Sequence, residues 1–175
     1  MKAVDSFDHW GDGLLERLRG NVVADSVFKT ASTLGEFSGI WHVIGIGRAI
    51  VDPSAARQSL TMSALIGAES LIVNQGVKRV FRRSRPTETG DPRFPVRRPM
   101  TSSFPSGHAS AAFFAAAILS TATDRGLAPV WYSTATIVAV SRAYVRIHHP
   151  SDIVGGAAVG ALLGVVGTRV FRALV

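Results

Sequence analysis

The chain is 175 residues long, 47% apolar, free of cysteine, and carries a formal charge of +7 with a pI near 11.0. That length suits one domain, residues 1–175, and the missing cysteines exclude a disulfide framework, a thiolate metal site and a thiol nucleophile. The positive charge calls for an anionic partner, whether nucleic acid, anionic lipid headgroups or a phosphorylated substrate.

The N-terminus, MKAVDSFDHWGDG, has acids where a signal peptide would have a basic region followed by an apolar one, so no cleavable signal is expected. Phe7, Trp10, Leu14, Leu15 and Leu18 recur at helical spacing beside Asp8, Asp12, Glu16 and Arg17. This pattern predicts an amphipathic helix in the N-terminal region 1–30, lying at a membrane interface or capping a bundle as an ordinary surface helix. Charge-poor windows of about membrane-spanning length follow at 33–51, 59–80, 106–123, 127–147 and 153–174. They predict an all-α integral membrane bundle of about five transmembrane helices, multi-pass in the cell membrane. Glu36, His42, Arg48 and Glu69 in the first two windows leave a soluble bundle with buried helices as the alternative. Glu69, a carboxylate inside an apolar helix, is expected to be structural and paired with His42 or Arg48. In the last window Gly156, Gly160 and Gly164 fall four apart beside Ala157 and Ala161, a small-residue stripe that lets helices approach closely and offers a face for a homo-oligomer.

Between the second and third windows, residues 81–107 hold five prolines and a block of arginines, which rules out a continuous helix. The basic residues have almost no stacking aromatics among them, so nucleic-acid binding is not expected. The stretch 82–105 instead suits a loop at the rim of an active site. Three segments converge there if the helices alternate up and down: KRVFRRSRP from Lys78, PSGH from Pro105 to His108, and SRAYVRIHHPSD from Ser141 to Asp152.

Their chemistry fits one task. Ser106 is placed to cap the third apolar helix, whose free amides and dipole then face an anion. Gly107 lets a phosphate approach the backbone. Lys78, Arg85 and Arg142 supply charge, the arginines as forks that grip two phosphate oxygens. A phosphoryl centre also needs one neutral imidazole to attack and one imidazolium to protonate the leaving oxygen, and two histidines approach the cradle from different helices. Asp152 can hold one ring. Each residue taken singly has a plainer use, such as an Arg85 pair with Glu88 or Asp91. His149 also lies close to Asp152 and is expected to be a rim residue or structural partner.

The three segments resemble the three signature motifs of the type 2 phosphatidic acid phosphatase (PAP2) superfamily: K-x6-R-P, P-S-G-H and S-R-x5-H-x3-D, with every position filled. The resemblance implies that His148 is the nucleophile, forming a phosphohistidine, that Asp152 orients it, and that His108 is the general acid. It implies that Lys78, Arg85, Ser106, Gly107 and Arg142 bind the phosphoryl oxygens, and that no metal or cofactor is needed. Three cations at the centre would in any case repel a metal ion. G-x-S-x-G and G-x4-G-K-[ST] are absent. The expected activity is hydrolysis of an isoprenoid (di)phosphate or phosphatidate-type lipid. A polyprenyl-phosphate-linked sugar phosphate is the alternative substrate, and a non-catalytic relative that binds or transports anionic lipids is the alternative function. Arg79, Arg82, Arg83, Arg93, Arg97 and Arg98 make the active-site rim the more basic one, and the positive-inside rule would put that rim in the cytoplasm.

Overall fold

The computed structural model describes residues 2–87, 91–96 and 101–175, so Glu88, Arg97 and Arg98, named above, lie outside the described residues. The described residues form helices α1 (Lys2–Glu16), α2 (Val22–Leu34), α3 (Gly39–Val51), α4 (Ala56–Leu71), α5 (Lys78–Val80), α6 (Gly107–Ala122), α7 (Ala128–Tyr144) and α8 (Pro150–Leu174). A π-helical turn, Ile72–Val77, joins α4 to α5 without a break. Each of the five apolar windows is helical over most of its length. Among the described residues, α8 is the one helix long and apolar enough by itself to cross a membrane, and α6 is a shorter apolar helix.

The N-terminal region differs from expectation. It holds two helices, separated at Gly20, which takes the left-handed φ of 92°. The second, α2, is capped by Asn21, whose side chain accepts from the amides of Val23 and Ala24. The window at 33–51 is also broken. Helix α2 ends at Gly35, and a short 3-10 turn, Glu36–Ser38, intervenes before α3, with Phe37 and Ser38 at positive φ (51° and 61°). Left-handed backbone at two successive non-glycine residues is costly and has to be enforced by its surroundings.

Helix α6 is the axis of the bundle. Ala112, Ala115, Ala116, Ile118 and Leu119 are buried on it, against Trp41, Met62, Ile66, Val138 and Phe171. Its small residues let α7 and α8 pack closely on two sides. On α8 the glycine stripe faces α6 of the same chain: a Cβ at Gly156 would strike the Ser106 carbonyl, one at Gly160 the Ser110 backbone, and one at Gly164 the Ala117 methyl. This corrects the reading of the stripe as a homo-oligomer face, because Gly156, Gly160 and Gly164 are all buried inside the bundle. The lipophilic exterior lies elsewhere, at residues such as Ile50, Leu60, Leu71 and Leu162, which are 66–76% exposed.

Glu69 is buried, but it pairs with neither His42 nor Arg48. Its carboxylate accepts from the Ser110 hydroxyl of α6. His42 meets Ser63 at 2.9 Å, and Arg48 donates to Gln58 at 2.9 Å and to the Ala122 carbonyl at 2.8 Å. Periodicity had put the three residues in neighbouring windows. The face of α4 that carries Glu69 packs on α6 instead.

The crossing predicts its own test. Gly160→Leu should destabilise the protein by about 1–3 kcal/mol or more through overpacking, whereas Leu162→Ala on the exposed face should change little. Thermal unfolding in detergent micelles measures both, and equal melting temperatures would contradict the close α6–α8 contact.

Candidate active site

Four separated segments deliver the signature residues to one place. The π-helical turn at 72–77 re-aims the end of α4 so that Ser70, Asn74 and Lys78 all line one cavity of about 200 Å³. Such turns are rare and favour functional sites. Gly107 and His108, which begin α6, line the same cavity with Glu36 and His148. Ser106 is buried and caps α6, its Oγ accepting from the Ala109 amide at 3.4 Å. The positive end of α6 therefore points into the cavity. A Cβ on Gly107 would lie 3.2 Å from Asn74 Oδ1 and 3.6 Å from Lys78 Nζ, filling the space in front of that helix end.

Arg142, at the end of α7, is fully buried. Its Nη1 donates to the Ser32 hydroxyl at 2.6 Å, and its Nη2 lies 3.0 Å from Glu36 Oε1. The chain then turns sharply. Arg146 adopts φ 57°, and the amides of Ile147 and His148 both donate to the Arg142 carbonyl at 3.1 Å. The turn brings His148 back beside Arg142, which is why five residues separate them in the motif. Arg85 is also buried. Its Nη1 donates to the Ile147 carbonyl at 2.6 Å and lies 3.2 Å from His148 Nε2, and its Nη2 donates to the Thr101 carbonyl at 3.1 Å. It thus meets His148 rather than Asp91, which Arg93 holds at 2.8 Å.

His148 is oriented from its other ring nitrogen. Nδ1 lies 3.5 Å from Asp152 Oδ2 and 3.4 Å from Ser103 Oγ. Asp152 is itself fixed on all sides: Oδ2 accepts from Ser103 Oγ at 2.5 Å and from the His149 amide at 2.8 Å, while Oδ1 accepts from Arg83 Nη1 at 2.6 Å. A proton on Nδ1, facing the carboxylate, leaves the Nε2 lone pair toward Arg85 and the cavity. Burial is the main influence on this imidazole and pushes its pKa down to about 3, with the Arg85 charge adding to the effect and the Asp152 hydrogen bond opposing it. His149 is the N-cap of α8 and contributes its backbone, consistent with a structural partner.

His108 approaches from the opposite wall. Its Nε2 stands 3.5 Å from Glu36 Oε1, so the carboxylate bridges His108 and Arg142. All eight signature residues are therefore assembled around one cavity or in direct contact with its wall. Sequence reasoning missed Ser103, Arg83, Asn74 and Glu36. Arg83 and Ser103 were visible only as members of a basic block and a serine pair. Glu36 was counted as an interruption of an apolar window.

The N-terminal helix closes this face. Asp8 accepts from the Ser151 amide at 2.7 Å and from Arg83 Nη2 at 2.5 Å, which ties α1 to the first turn of α8 and to the loop. A second cavity of about 290 Å³ lies between α1 and His148, lined by Asp8, His9, Asp12 and Arg83.

An all-α bundle with a buried, doubly oriented histidine facing a second histidine across a cationic cradle defines a phosphoryl-binding class of site. The model of the PAP2 superfamily matches residues 59–175, and the chain belongs to that superfamily. It is 33% identical over 131 residues to the decaprenylphosphoryl-5-phosphoribose phosphatase of Mycolicibacterium smegmatis, covering 73% of this chain and 68% of the relative. To the protein of the same name from Mycobacterium tuberculosis it is 33% identical over 136 residues, covering 77% and 73%. Its fold is that of the crystal structure of the first transmembrane PAP2 type phosphatidylglycerolphosphate phosphatase from Bacillus subtilis (TM-score 0.74, 22% identity, 100% of this chain and 89% of that one). It is also that of Aquifex aeolicus LpxE (TM-score 0.69, 23% identity, 90% and 92%).

The depressed His148 pKa has a testable sign. The folded state disfavours the imidazolium, so the unfolded chain binds more protons below its ordinary value of 6.5, and this residue's contribution to stability falls as pH drops from about 6.5 toward 3. In a ¹⁵N-histidine titration of the folded protein, the His148 ring should remain neutral at pH 5. A midpoint near 6.5 would contradict its burial against Arg85.

Proposed function

We propose that this chain is a membrane lipid phosphatase working through a phosphohistidine. The observation that carries the proposal is that His148 and His108 line one cavity with Lys78 and Gly107, with the Arg85 guanidinium against His148 and that of Arg142 against Glu36 in its wall. The mechanism uses His148 Nε2 as the attacking atom. Its lone pair bonds to phosphorus on the face opposite the leaving oxygen. The phosphorus to leaving-oxygen bond breaks, and that oxygen keeps the electron pair and takes the proton from the His108 imidazolium. Charge on the equatorial oxygens is met by Lys78, Arg85, Arg142 and the α6 amides. Asp152 and Ser103 hold the His148 ring and stabilise it as it becomes cationic. In the second half, neutral His108 takes a proton from water, the oxygen of that water bonds to phosphorus, and His148 is released with inorganic phosphate.

Five bundle segments, α3, α4 with α5, α6, α7 and α8, would span the bilayer, with Arg83, Arg85, Ser103 and α1 on the catalytic side. The large apolar residues Phe7 (40%), Trp10 (61%) and Leu14 (41%) are exposed on α1, while Asp8 is buried. A helix that turns acid inward and aromatics outward suits the bilayer interface. The reading that the substrate is a lipid phosphate rests on this surface. The mycobacterial relatives' name favours a polyprenyl-phosphate-linked sugar phosphate within that class.

The test is phosphate release from a panel of lipid phosphates by detergent-purified protein with a chelator present. Release should survive chelation and fall by about 10³-fold or more in His148→Ala, as for removal of a covalent nucleophile. Release that needs a divalent ion, or that persists without His148, would refute the mechanism. For orientation, an alkaline phosphatase fused after Val175 should be inactive if the C-terminus is cytoplasmic, and active if it is not.

A further inference from the structure

Glu36 is the one carboxylate that reaches into the proposed phosphoryl cavity among the described residues, and nothing in the three motifs assigns it. Its Oε1 sits 3.0 Å from Arg142 Nη2 and 3.5 Å from His108 Nε2. Neither approach has hydrogen-bond alignment. Oε1, His108 Nε2 and Arg142 Nη2 are all buried without a hydrogen-bond partner among the described residues. The residue is held there at a cost, because Phe37 and Ser38, which follow it, both take left-handed backbone. Strain of this kind, directly behind a side chain aimed at a cavity, points to a selected position.

We propose that Glu36 reads the leaving group: it favours phosphate monoesters whose departing alcohol carries a neighbouring hydroxyl and excludes diphosphates. The inference rests on the phosphatase mechanism above, in which His108 delivers the proton to the leaving oxygen. A group within 3.5 Å of the His108 ring nitrogen therefore stands beside whatever departs. Oε1 itself is turned to His108 and Arg142, but the Glu36 side chain keeps 21% of its surface exposed, so an adjacent hydroxyl on the departing alcohol can donate to this carboxylate. A site built to receive a substrate hydroxyl discriminates strongly against analogues that lack it. When a diphosphate is cleaved, the departing group is a phosphate whose unesterified oxygens flank the leaving oxygen and carry negative charge toward Glu36. Like charges at that separation in a site of low dielectric repel strongly. Glu36 acts here as a specificity residue, and its pairing with His108 and Arg142 fixes where the carboxylate stands.

The experiment compares phosphate release from phosphatidylglycerol phosphate, phosphatidate and a polyprenyl diphosphate by the intact chain, Glu36→Gln and Glu36→Asp. Thermal unfolding of each variant verifies that it is folded. The intact chain should prefer phosphatidylglycerol phosphate over the diphosphate in kcat/KM. Glu36→Gln, which keeps the shape and removes the charge, should narrow that ratio by tenfold or more, chiefly through better use of the diphosphate. Glu36→Asp, which keeps the charge, should still exclude the diphosphate. If Glu36→Gln loses all three substrates in equal proportion, or if the ratio is unchanged, the selectivity is overturned and the residue only holds His108 and Arg142 in place. If the intact chain releases phosphate from none of the lipids, the phosphatase mechanism itself fails.

Discussion

The contact on which the site depends is the crossing of α6 over α8. At Gly156 the two helices come so close that a single Cβ would collide with the Ser106 carbonyl, and one turn earlier the Ser106 amide donates to the Asp152 carbonyl at 3.0 Å. That hydrogen bond joins the second signature motif to the third. It fixes the start of α6, with its cap and dipole, against the start of α8, which carries the carboxylate that orients His148. Glycine is required at the crossing for a steric reason, even though it weakens an isolated helix by about 1 kcal/mol relative to alanine. The close approach recovers this through packing and through backbone hydrogen bonds made out of water's reach. The separation of His108 from His148 is thus set by backbone contacts, which deform far less than long side chains would.

The second constraint is electrostatic. Lys78, Arg85 and Arg142 are all less than a tenth exposed and lie close to one another. Burying such charges costs several kcal/mol each after relaxation unless partners compensate. The compensation is partial and directional. Main-chain carbonyls of Ser32, Thr101 and Ile147 accept from the Arg142 and Arg85 guanidiniums, and Asp152 and Glu36 supply nearby negative charge. A dianionic phosphoryl group would complete the balance. The outer arginines are treated differently. Arg19, Arg83, Arg93 and Arg146 are neutralised by Asp8, Asp12 and Glu16 of α1, and Arg93 and Arg19 hold the Glu16 carboxyl down at about 2. Of the arginines counted for orientation, Arg83 and Arg93 are therefore held in internal pairs rather than offered to lipid headgroups.

This distribution explains what could be read beforehand. The signature positions were legible because phosphoryl chemistry demands particular residue types, and because the spacings of the second and third motifs are those of a helix start and a tight turn. The five apolar windows were legible because charge is sparse in them. The break at Gly35–Ser38 was not, since Glu36, Phe37 and Ser38 look like ordinary helix residues and nothing in their types announces the left-handed backbone of Phe37 and Ser38. Glu36 went unrecognised for the same reason, as its role exists only once α2 and α3 have bent around the end of α7. The glycine stripe was found, but its direction was misjudged: small-residue periodicity announces a close neighbour without saying whether the neighbour is in the same chain. The partner of Glu69 was missed because periodicity assigns residues to helices and leaves open which helices touch.

The N-terminal helix brings these strands together. In a water-soluble protein its face with Phe7, Trp10 and Leu14 would turn inward and its acids outward, yet Asp8 and Gly11 are the buried residues and the aromatics are exposed. The inversion follows from the arginines: the catalytic rim draws the acidic face of α1 toward it, and the apolar face can then point outward at low free-energy cost only where lipid, rather than water, receives it. Asp8 makes the coupling specific, because it accepts from Ser151 at the head of α8 and from the same Arg83 that binds Asp152. Helix α1 is thereby linked through two carboxylates and one guanidinium to the ring of His148. In the mechanism proposed above, with α1 in the bilayer surface, this linkage would set the depth of the His148 ring relative to that surface, which is what a site must provide when its substrate's phosphate is confined there and its chain to the bilayer below.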